Sequence, residues 1–346
     1  KNKPEQQYEI ALEKYSKECT KQLANNEQAR IREYYATKYD ESPVKDNVIL
    51  YEVRDGTSFT DSPRSIFNYL ISHPQFAYFE HIISYDKNYL QDFPKMLQNY
   101  SNVKLVERNS FDYLDALLSA KYLLNNSTFH SYFAKREGQI YINTWHGTPL
   151  KHMGDAYVQD MTNSTNVRRN FLMADFILSP NSFTSRVFLE DYKLNYLWDG
   201  VILENGLPRN ELSQYNSKSD IISELLSYGL QINRELDNYI YMPTWQGKNV
   251  NDANNTIENY SVLIEEIEKR ETHEYNFLIK VHPFLYDKAK KDINLAKYLI
   301  PNSYDSNEIF KISDALITDY SSVFFDYLVT NKPIIFYNWD SEFYRN

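Results

Sequence analysis

The sequence predicts an α/β protein made of two Rossmann-like domains that face each other. At 346 residues the chain exceeds one ordinary domain, so two domains of roughly 150–200 residues are the better expectation. From Asn47 onward, short apolar segments alternate with amphipathic ones, and a polar stretch over 212–220 separates two such series. We therefore predict a helical extension over 1–45, an N-terminal domain over 46–212 and a C-terminal domain over 213–346.

The first 40 residues are charged and helix-prone, with scattered apolar residues among Glu and Lys. This pattern fits a helix that connects the chain to a preceding module, or equally a solvated extension docked on the main fold. The chain does not begin with methionine, so we expect a fragment whose targeting signals lie elsewhere. In neither case is this segment expected to contain catalytic or binding residues.

The N-terminal domain should alternate strands and helices in the βαβ manner. Apolar, β-branched segments predict strands over 48–53, 81–85, 103–106, 122–124, 139–145 and 176–178. Amphipathic segments between them predict helices over 65–72, 88–100, 113–120 and 182–192.

The C-terminal domain repeats this rhythm. Strands are predicted over 239–242, 277–281, 315–318 and 333–337, with helices over 222–228, 257–271 and 323–329. Because connections between parallel strands cross over as helices, both series predict parallel sheets.

Composition excludes several classes of protein. A net charge of −10 disfavours general nucleic-acid binding, which requires a broad basic surface. The only cysteine, Cys19, allows neither an internal disulfide nor a zinc cluster, and it suits a reducing cytoplasm. No apolar run approaches the roughly 18 residues of a membrane span, so we expect a soluble or peripheral protein.

Three predicted strands end in residues that can carry chemistry. His146 and His282 each follow an apolar strand, and Asp319 follows another. A single histidine is more often a satisfied structural group than a functional one. Because ligands of open α/β sheets bind beyond the carboxyl ends of the strands, three such placements together favour one functional cleft.

The segment Thr318-Asp-Tyr-Ser-Ser322 precedes an apolar helix. Ser321 and Ser322 lie at the predicted helix start, where free N–H groups can bind a phosphate, although a plain helix cap has the same pattern. Seven basic residues lie near strand ends or loops: Lys151, Arg168, Arg169, Arg186, Arg209, Lys248 and Lys280. Strand alternation predicts that Lys280 points away from the neighbours of His282.

Familiar phosphate-binding, hydrolase and metal-binding motifs are absent from the sequence. There is also no Asp-x-Asp of the kind that holds a divalent ion beside a nucleotide-sugar. We therefore expect no metal site and no cofactor.

The motifs taken together resemble one family. Asn143-Thr-Trp-His-Gly-Thr-Pro-Leu-Lys151, Met242-Pro-Thr-Trp245, Lys280-Val-His-Pro283, Glu204-Asn-Gly-Leu-Pro-Arg-Asn210 and Ile317-Thr-Asp-Tyr-Ser-Ser-Val-Phe-Phe-Asp326 are similar to segments of the CDP-glycerol glycerophosphotransferases of wall teichoic acid synthesis. The early segment around 48–63 also resembles the family's first strand and loop. The resemblance covers roughly residues 47–346.

This resemblance implies a GT-B architecture in which the N-terminal domain receives the acceptor and the C-terminal domain binds the donor. It implies transfer of a polyol phosphate from CDP-glycerol or CDP-ribitol to a hydroxyl of a lipid-linked teichoic-acid or capsule-type acceptor, with release of CMP. The CDP-polyol is then a substrate, and no cofactor is needed. The protein is expected in the cytoplasm, peripheral at the inner face of the cell membrane of a Gram-positive bacterium.

The resemblance also assigns roles to residues. His146 is expected to be the general base, and His282 to stabilise the diphosphate or departing CMP. Asp326 is a candidate for contacting ribose or polyol hydroxyls, or is simply a solvated helix carboxylate. Donor or phosphate contacts are expected from Asp319, Ser321, Ser322, Arg209, Lys248 and Thr244, and acceptor contacts from Asp61 and Lys151.

Two departures from the family pattern lie on the donor side. Gln246 stands where family members often have a basic residue, with Lys248 two positions on. The chain stops at Asn346, before the last strand and helix of a GT-B donor domain, so we expect a truncated C-terminal domain.

Two other functions fit the same fold. A GT-B sugar transferase with a nucleotide-sugar donor would form a glycosidic bond instead of a phosphodiester. A non-catalytic GT-B module would bind a partner or glycan without turnover, although the intact His146 and His282 argue against it.

Overall fold

The chain forms two parallel β-sheets in the computed structural model, which describes residues 3–156, 164–244, 253–269 and 274–337. The first sheet contains β1 (Lys45–Glu52), β2 (Glu80–Tyr85), β3 (Val103–Glu107), β4 (Ala120–Asn125), β5 (Ile140–Asn143), β6 (Phe176–Leu178) and β7 (Val201–Leu203). The second contains β8 (Asp237–Met242), β9 (Tyr275–Ile279), β10 (Ala315–Thr318) and β11 (Ile334–Phe336).

Helices connect the strands. In the N-terminal half they are α1 (Lys3–Ala24), α2 (Glu27–Lys38), α3 (Asp61–Ser72), α4 (Phe111–Ser119), α5 (Ser164–Met173), α6 (Ser182–Asp191) and α7 (Leu194–Leu197). In the C-terminal half they are α8 (Lys218–Ser227), α9 (Ala253–Glu268), α10 (Pro283–Ala289), α11 (Ile293–Ala296), α12 (Ser306–Ile309) and α13 (Val323–Tyr327). None of the helices within the described ranges combines the length and apolarity that crossing a bilayer requires.

The first sheet has the strand order β3-β2-β1-β4-β5-β6-β7. This is the doubly wound Rossmann order with one strand added, and its direction of winding reverses between β1 and β4. Every pairing in the sheet is parallel. The carboxyl ends of β1 and β4 therefore form the crevice where such sheets bind ligands.

The second sheet has the order β11-β10-β8-β9, again with parallel pairing throughout. Its winding reverses between β8 and β10, so its own crevice lies beyond the ends of those two strands. The prediction of an α/β fold with two Rossmann-like sheets is confirmed.

Alternation along the strands builds a core on both faces of each sheet. In β1, Leu50 packs in a cluster with Leu123, whereas Ile49 and Tyr51 pack in the cluster on the opposite face with Phe67. The second sheet repeats this arrangement, with separate clusters around Ile240 and Tyr241. Burial on both faces explains why the central strands are continuous apolar runs.

The N-terminal extension is partly docked. Ile31 and Tyr35 of α2 are buried against the first sheet's core, and the Tyr35 hydroxyl donates to the carbonyl of Ala134 at 3.0 Å. On α1 the apolar residues Tyr8 and Tyr15 remain exposed.

Two local predictions were wrong. The predicted helix over 88–100 is two short 3-10 turns, Leu90–Asp92 and Lys95–Asn99, because Pro94 lacks an N–H and disfavours the helical conformation at Phe93. The predicted strand over 277–281 ends at Ile279 instead.

Candidate active site

A cavity of about 520 Å³ lies between the two sheets, beyond the carboxyl ends of their strands. One side is formed by residues that follow β1, β4 and β5, namely Arg54, Ser127 and His146. The other is formed by residues that follow β8, β9 and β10, namely Pro243, His282 and Ser322. The crevices of both sheets therefore open into one space.

A strained turn presents His146 to this cavity. Trp145 has a left-handed backbone with a φ of 50°, and its N–H donates to the Asn143 side chain at 2.9 Å. The Trp145 ring is buried against Phe171 and Phe188, and it stacks on the imidazole with centroids 4.0 Å apart. The apolar anchor thus fixes the direction in which the histidine points.

The hydrogen bond of His146 defines its tautomer. Nδ1 lies 2.7 Å from the carbonyl oxygen of Asn126, and a carbonyl can only accept, so Nδ1 carries the proton. Nε2 of the neutral ring then has a free lone pair, which is what a general base requires. His146 is itself exposed, with access from the cavity.

The imidazole of His146 is held neutral. Desolvation lowers the pKa of His146 most, and the positive charges of Arg54 and Arg209 lower it further. The hydrogen bond to Asn126 and the charge of Asp61 act in the opposite direction without reversing the shift. At neutral pH the ring is therefore ready to accept a proton.

Asn126 forms several hydrogen bonds in the N-terminal wall of the cavity. Its side-chain oxygen accepts from the backbone N–H of Arg54 at 2.9 Å, and its side-chain nitrogen donates to Asp61 at 3.0 Å. The residue is fully buried. Asn126 thereby connects the loop after β1, the start of α3 and the catalytic candidate His146.

A buried ion-pair network joins the two halves of the molecule. Arg209 donates to Asp61 at 3.2 Å and to both carboxylate oxygens of Asp326 at 2.9 and 2.7 Å. Burial would raise the pKa of Asp61, but the charges of Arg209 and Arg54 bring it below its usual value. Burial raises the pKa of Asp326 to about 6 in spite of Arg209.

Three residues of this network are among the predicted substrate contacts. Arg209, Asp61 and Asp326 all line the cavity, as expected for site residues. However, the guanidinium of Arg209 is already engaged by two carboxylates, and both oxygens of Asp326 are bound to it. The contacts that these three residues make are those of groups that shape the cavity wall. Direct contacts with donor phosphate or polyol hydroxyls stay predictions.

His282 and Lys280 enter the cavity together. The prediction that Lys280 points away was wrong, because residues two positions apart in an extended segment point to the same face, and Lys280 and His282 both line the cavity. Burial lowers the pKa of His282 to about 4, helped by the charge of Arg54. Burial also lowers the pKa of Lys280 to about 8.

The serine turn contacts the histidine loop. Ser321 and Ser322 line the cavity, and a Cβ placed on Gly147 would lie 3.5 Å from the Ser322 hydroxyl and 3.3 Å from Nη2 of Arg209. The helix that follows, α13, has only five residues, so it is shorter than the predicted 323–329. Its contribution to phosphate binding through a helix dipole is correspondingly small.

Asp319 and Thr244 form a structural contact. Oδ1 of the buried Asp319 accepts from the backbone N–H of Thr244 at 2.8 Å. Neither residue is among the described residues that line the cavity. Asp319 therefore connects the ends of β10 and β8, and the contacts of Asp319 and Thr244 with the donor stay predictions.

Two further basic contacts stay predictions. Lys151 is exposed and does not belong to the described lining of the cavity. Lys248 lies outside the described residues.

Sequence reasoning missed Arg54 and Asn126. Arg54 directly follows the predicted strand over 48–53, and Asn126 lies two residues after the predicted strand over 122–124. The rule that gives weight to strand ends would have found both had it been applied to residues other than histidine and acids. In the described ranges, no group of three His, Cys, Asp or Glu side chains is arranged to hold a metal ion.

Comparisons with known proteins give the family. Residues 33–346 match the model of CDP-Glycerol:Poly(glycerophosphate) glycerophosphotransferase. A teichoic acid poly(glycerol phosphate) polymerase of Bacillus spizizenii is 30% identical over 316 residues, which cover 88% of this chain and 77% of that protein. One of Staphylococcus epidermidis is 29% identical over 90% of this chain but only 43% of its own length.

The fold comparison agrees. A variant of the wall teichoic acid polymerase TagF soaked with CDPG has a TM-score of 0.76 and 25% identity, covering 97% of this chain and 80% of that chain. That likeness extends over both sheets, and the family match includes every residue that lines the cavity. The chain belongs to the CDP-glycerol:poly(glycerophosphate) glycerophosphotransferase family.

Proposed function

We propose that this protein transfers glycerol phosphate from CDP-glycerol to an acceptor hydroxyl and releases CMP. The observation that carries the proposal is His146, which lines a cavity formed by the crevices of both sheets and binds the Asn126 carbonyl through Nδ1, so that Nε2 keeps its lone pair. Family membership supplies the donor class. The relatives that match most of this chain are named for glycerol phosphate.

His146 acts as general base in this reaction. It removes the proton of the acceptor hydroxyl through Nε2 while the hydroxyl oxygen attacks the phosphorus that carries glycerol. A new phosphodiester bond forms as the bond to the bridging oxygen breaks, and that oxygen leaves on CMP. Two factors support this role: the neutral ring and the fixed Nδ1–H donor.

His282 acts from the donor side. It follows β9 in the C-terminal half and faces the same cavity as His146. As an imidazole beside the diphosphate it donates a hydrogen bond to a phosphate oxygen and stabilises the charge on departing CMP. Lys280, also in the cavity, adds a positive charge there.

Arg209, Asp61 and Asp326 position the site. Their ion pairs join α3 to α13 across the cavity and fix the distance between the acceptor and donor walls. Alignment of nucleophile and leaving group is a large part of catalysis in phosphoryl transfer, so this positioning supports turnover without substrate contact.

The acceptor is a lipid-linked chain of the teichoic-acid or capsule type, at the inner membrane face. Support comes from relatives named as teichoic acid polymerases. Sedimentation with vesicles of anionic and zwitterionic lipid tests the membrane part. Absence of binding to both would contradict it.

The decisive experiment measures nucleotide release from a panel of donors. The protein is incubated with CDP-glycerol, CDP-ribitol, UDP-glucose or UDP-N-acetylglucosamine and a lipid-linked glycerol-phosphate acceptor. We expect CMP and a new phosphodiester from CDP-glycerol. Release of UDP with a new glycosidic bond would instead identify a sugar transferase, and binding without release from any donor a non-catalytic module.

A further inference from the structure

Arg54 lies at the winding reversal of the first sheet, in the loop directly after β1. It is exposed and lines the cavity. Its backbone N–H is held by the side chain of the buried Asn126, whose carbonyl oxygen binds His146. One residue therefore connects Arg54 to the catalytic base.

The acidic residues near Arg54 are engaged by other cations. Arg108 binds Glu52 at 3.2 Å and Asp55 at 2.8 Å, and Arg209 binds Asp61. Across the part of the chain that the structure describes, no carboxylate lies within ion-pair distance of the Arg54 guanidinium, and no hydrogen bond to it is found. Arg54 thus brings an uncompensated cation to a cavity whose Arg209 is already neutralised.

The backbone of this loop is strained. Arg54, Asp55 and Gly56 have consecutive φ values of 45°, 58° and 80°, all in the left-handed region. Non-glycine residues there cost on the order of 1 kcal/mol each, and such strain is concentrated at functional sites. Asn126 and Arg108 hold the loop in this conformation through the contacts above. A fixed loop presents the guanidinium with little loss of entropy on binding.

The charge of Arg54 acts on both walls of the cavity. It lowers the pKa of His146 on the N-terminal wall and those of His282 and Lys280 on the C-terminal wall. Arg54 therefore lies within electrostatic reach of the space between the two histidines, where the reacting phosphate would be bound.

We propose that Arg54 binds the distal phosphate of the donor, the one that carries the transferred group. The proposal rests on the proposed function. The position of Arg54 on the N-terminal wall, beside His146, selects the distal phosphate, because the nucleotide is expected on the opposite wall. A planar guanidinium can form two parallel hydrogen bonds to phosphate and stabilise its charge during attack.

Calorimetric titration of nucleotides against Arg54 variants tests this. Wild-type protein, Arg54→Gln and Arg54→Lys are titrated with CDP-glycerol, CDP and CMP, and with UDP and UMP. We expect Arg54→Gln to bind CDP-glycerol and CDP about 10- to 100-fold more weakly, the range for losing a hydrogen bond to a charged group, with CMP affinity unchanged. Arg54→Lys should recover part of the loss because it keeps the charge.

Arg234→Gln is the matched control. Arg234 is exposed, donates to Ser223 and does not line the cavity, so its loss changes the net charge equally without altering nucleotide affinity. Thermal unfolding of each variant checks that it is folded. We expect only a small loss for Arg54→Gln, because its side chain forms no hydrogen bond or ion pair with a described residue and acts on Asp61 only through its charge.

The outcomes separate the two proposals. Unchanged CDP affinity in Arg54→Gln, or equal weakening of CDP and CMP, would overturn the role of Arg54. A wild-type preference for UDP over CDP would overturn the donor class, while the ratio of UDP to UMP affinity in the variants still tests Arg54. A wild-type protein that bound none of these nucleotides would overturn both.

Discussion

At the scale of the residue, the candidate base depends on its hydrogen bond to Asn126. That bond places the proton on Nδ1 and leaves Nε2 free toward the cavity. The chemistry of His146 is therefore decided by a backbone carbonyl distant from it in sequence, together with its Trp145 anchor.

Replacing His146 tests its role. His146→Ala should lower turnover by about 10²- to 10⁴-fold, the contribution of a general base, with CDP-glycerol affinity nearly unchanged. His282→Ala should weaken both donor binding and turnover, since it lies on the donor wall. Steady-state kinetics with direct binding measurements distinguish the two. Near-normal turnover in His146→Ala would remove it from the base role.

His81 predicts a pH dependence of stability. The residue is 1% exposed, Nδ1 is 2.9 Å from the Tyr51 hydroxyl, and burial lowers its pKa from 6.5 to about 4. Between these values the unfolded chain binds a proton that the folded protein does not, so stability is lost as pH falls. Any stability advantage of wild type over His81→Gln should therefore shrink from pH 6.5 to pH 4.

Chemical denaturation at several pH values measures this difference. His73→Gln is the control, because His73 caps the end of α3 and is only half-buried. An unfolding free-energy difference between wild type and His81→Gln that stayed constant over this range would contradict the prediction.

At the scale of the element, the turn after β5 meets the turn after β10. Gly147 has a φ of 149°, and a side chain there would lie close to Arg209 and Ser322. Neither half alone reveals this requirement, since the two neighbours come from a connecting segment and from the second sheet.

Gly147→Ala should therefore reduce turnover and stability together. The new Cβ would lie 3.3 Å from Nη2 of Arg209, so this end of the guanidinium must shift within its ion pairs. Gly229→Ala is the matched control: its φ is 91°, and nothing lies within 4 Å of the added Cβ. We expect both variants to lose about 1 kcal/mol from backbone strain, but only Gly147→Ala to lose activity. Equal activity in the two would contradict the close approach.

At the scale of the whole molecule, buried ion pairs fix the two halves around the cavity. Besides Arg209, Arg64 of α3 binds Glu308 of α12 through two hydrogen bonds of 2.8 and 2.9 Å. The backbone N–H of Asp61 also donates to Asp305 at 2.7 Å. Such directional contacts specify one relative placement, which an apolar interface would specify less sharply.

Removing the central cation should be costly. Arg209→Met leaves the carboxylates of Asp61 and Asp326 buried without their partner, and we expect a loss of about 3–5 kcal/mol of unfolding free energy. Lys104→Met is the control, because its ion pair with Asp112 at 3.0 Å is exposed and worth about 1 kcal/mol at most. Urea denaturation of both compares them. Similar losses of unfolding free energy in the two variants would contradict a larger contribution from the buried network.

The sequence by itself determined the fold class and the histidines at the strand ends. Strand and helix patterns are local in sequence, so the alternation of strands and helices in a Rossmann-like domain can be predicted without tertiary information. The strand-end rule then places His146 at the carboxyl edge of the first sheet and His282 at that of the second, because the carboxyl ends of parallel strands share an edge.

Only the tertiary structure decided which charges are available. Arg209 meets Asp61 and Asp326 from 148 and 117 residues away, which removes it from the free cations, whereas Arg54 keeps its charge exposed to the cavity. Lys280 lies in the same cavity, where burial lowers its pKa. Such pairings form between side chains that are far apart in sequence and meet only when the chain folds. The neighbouring charges and the burial of a group set its pKa, and the sequence pattern specifies neither of them.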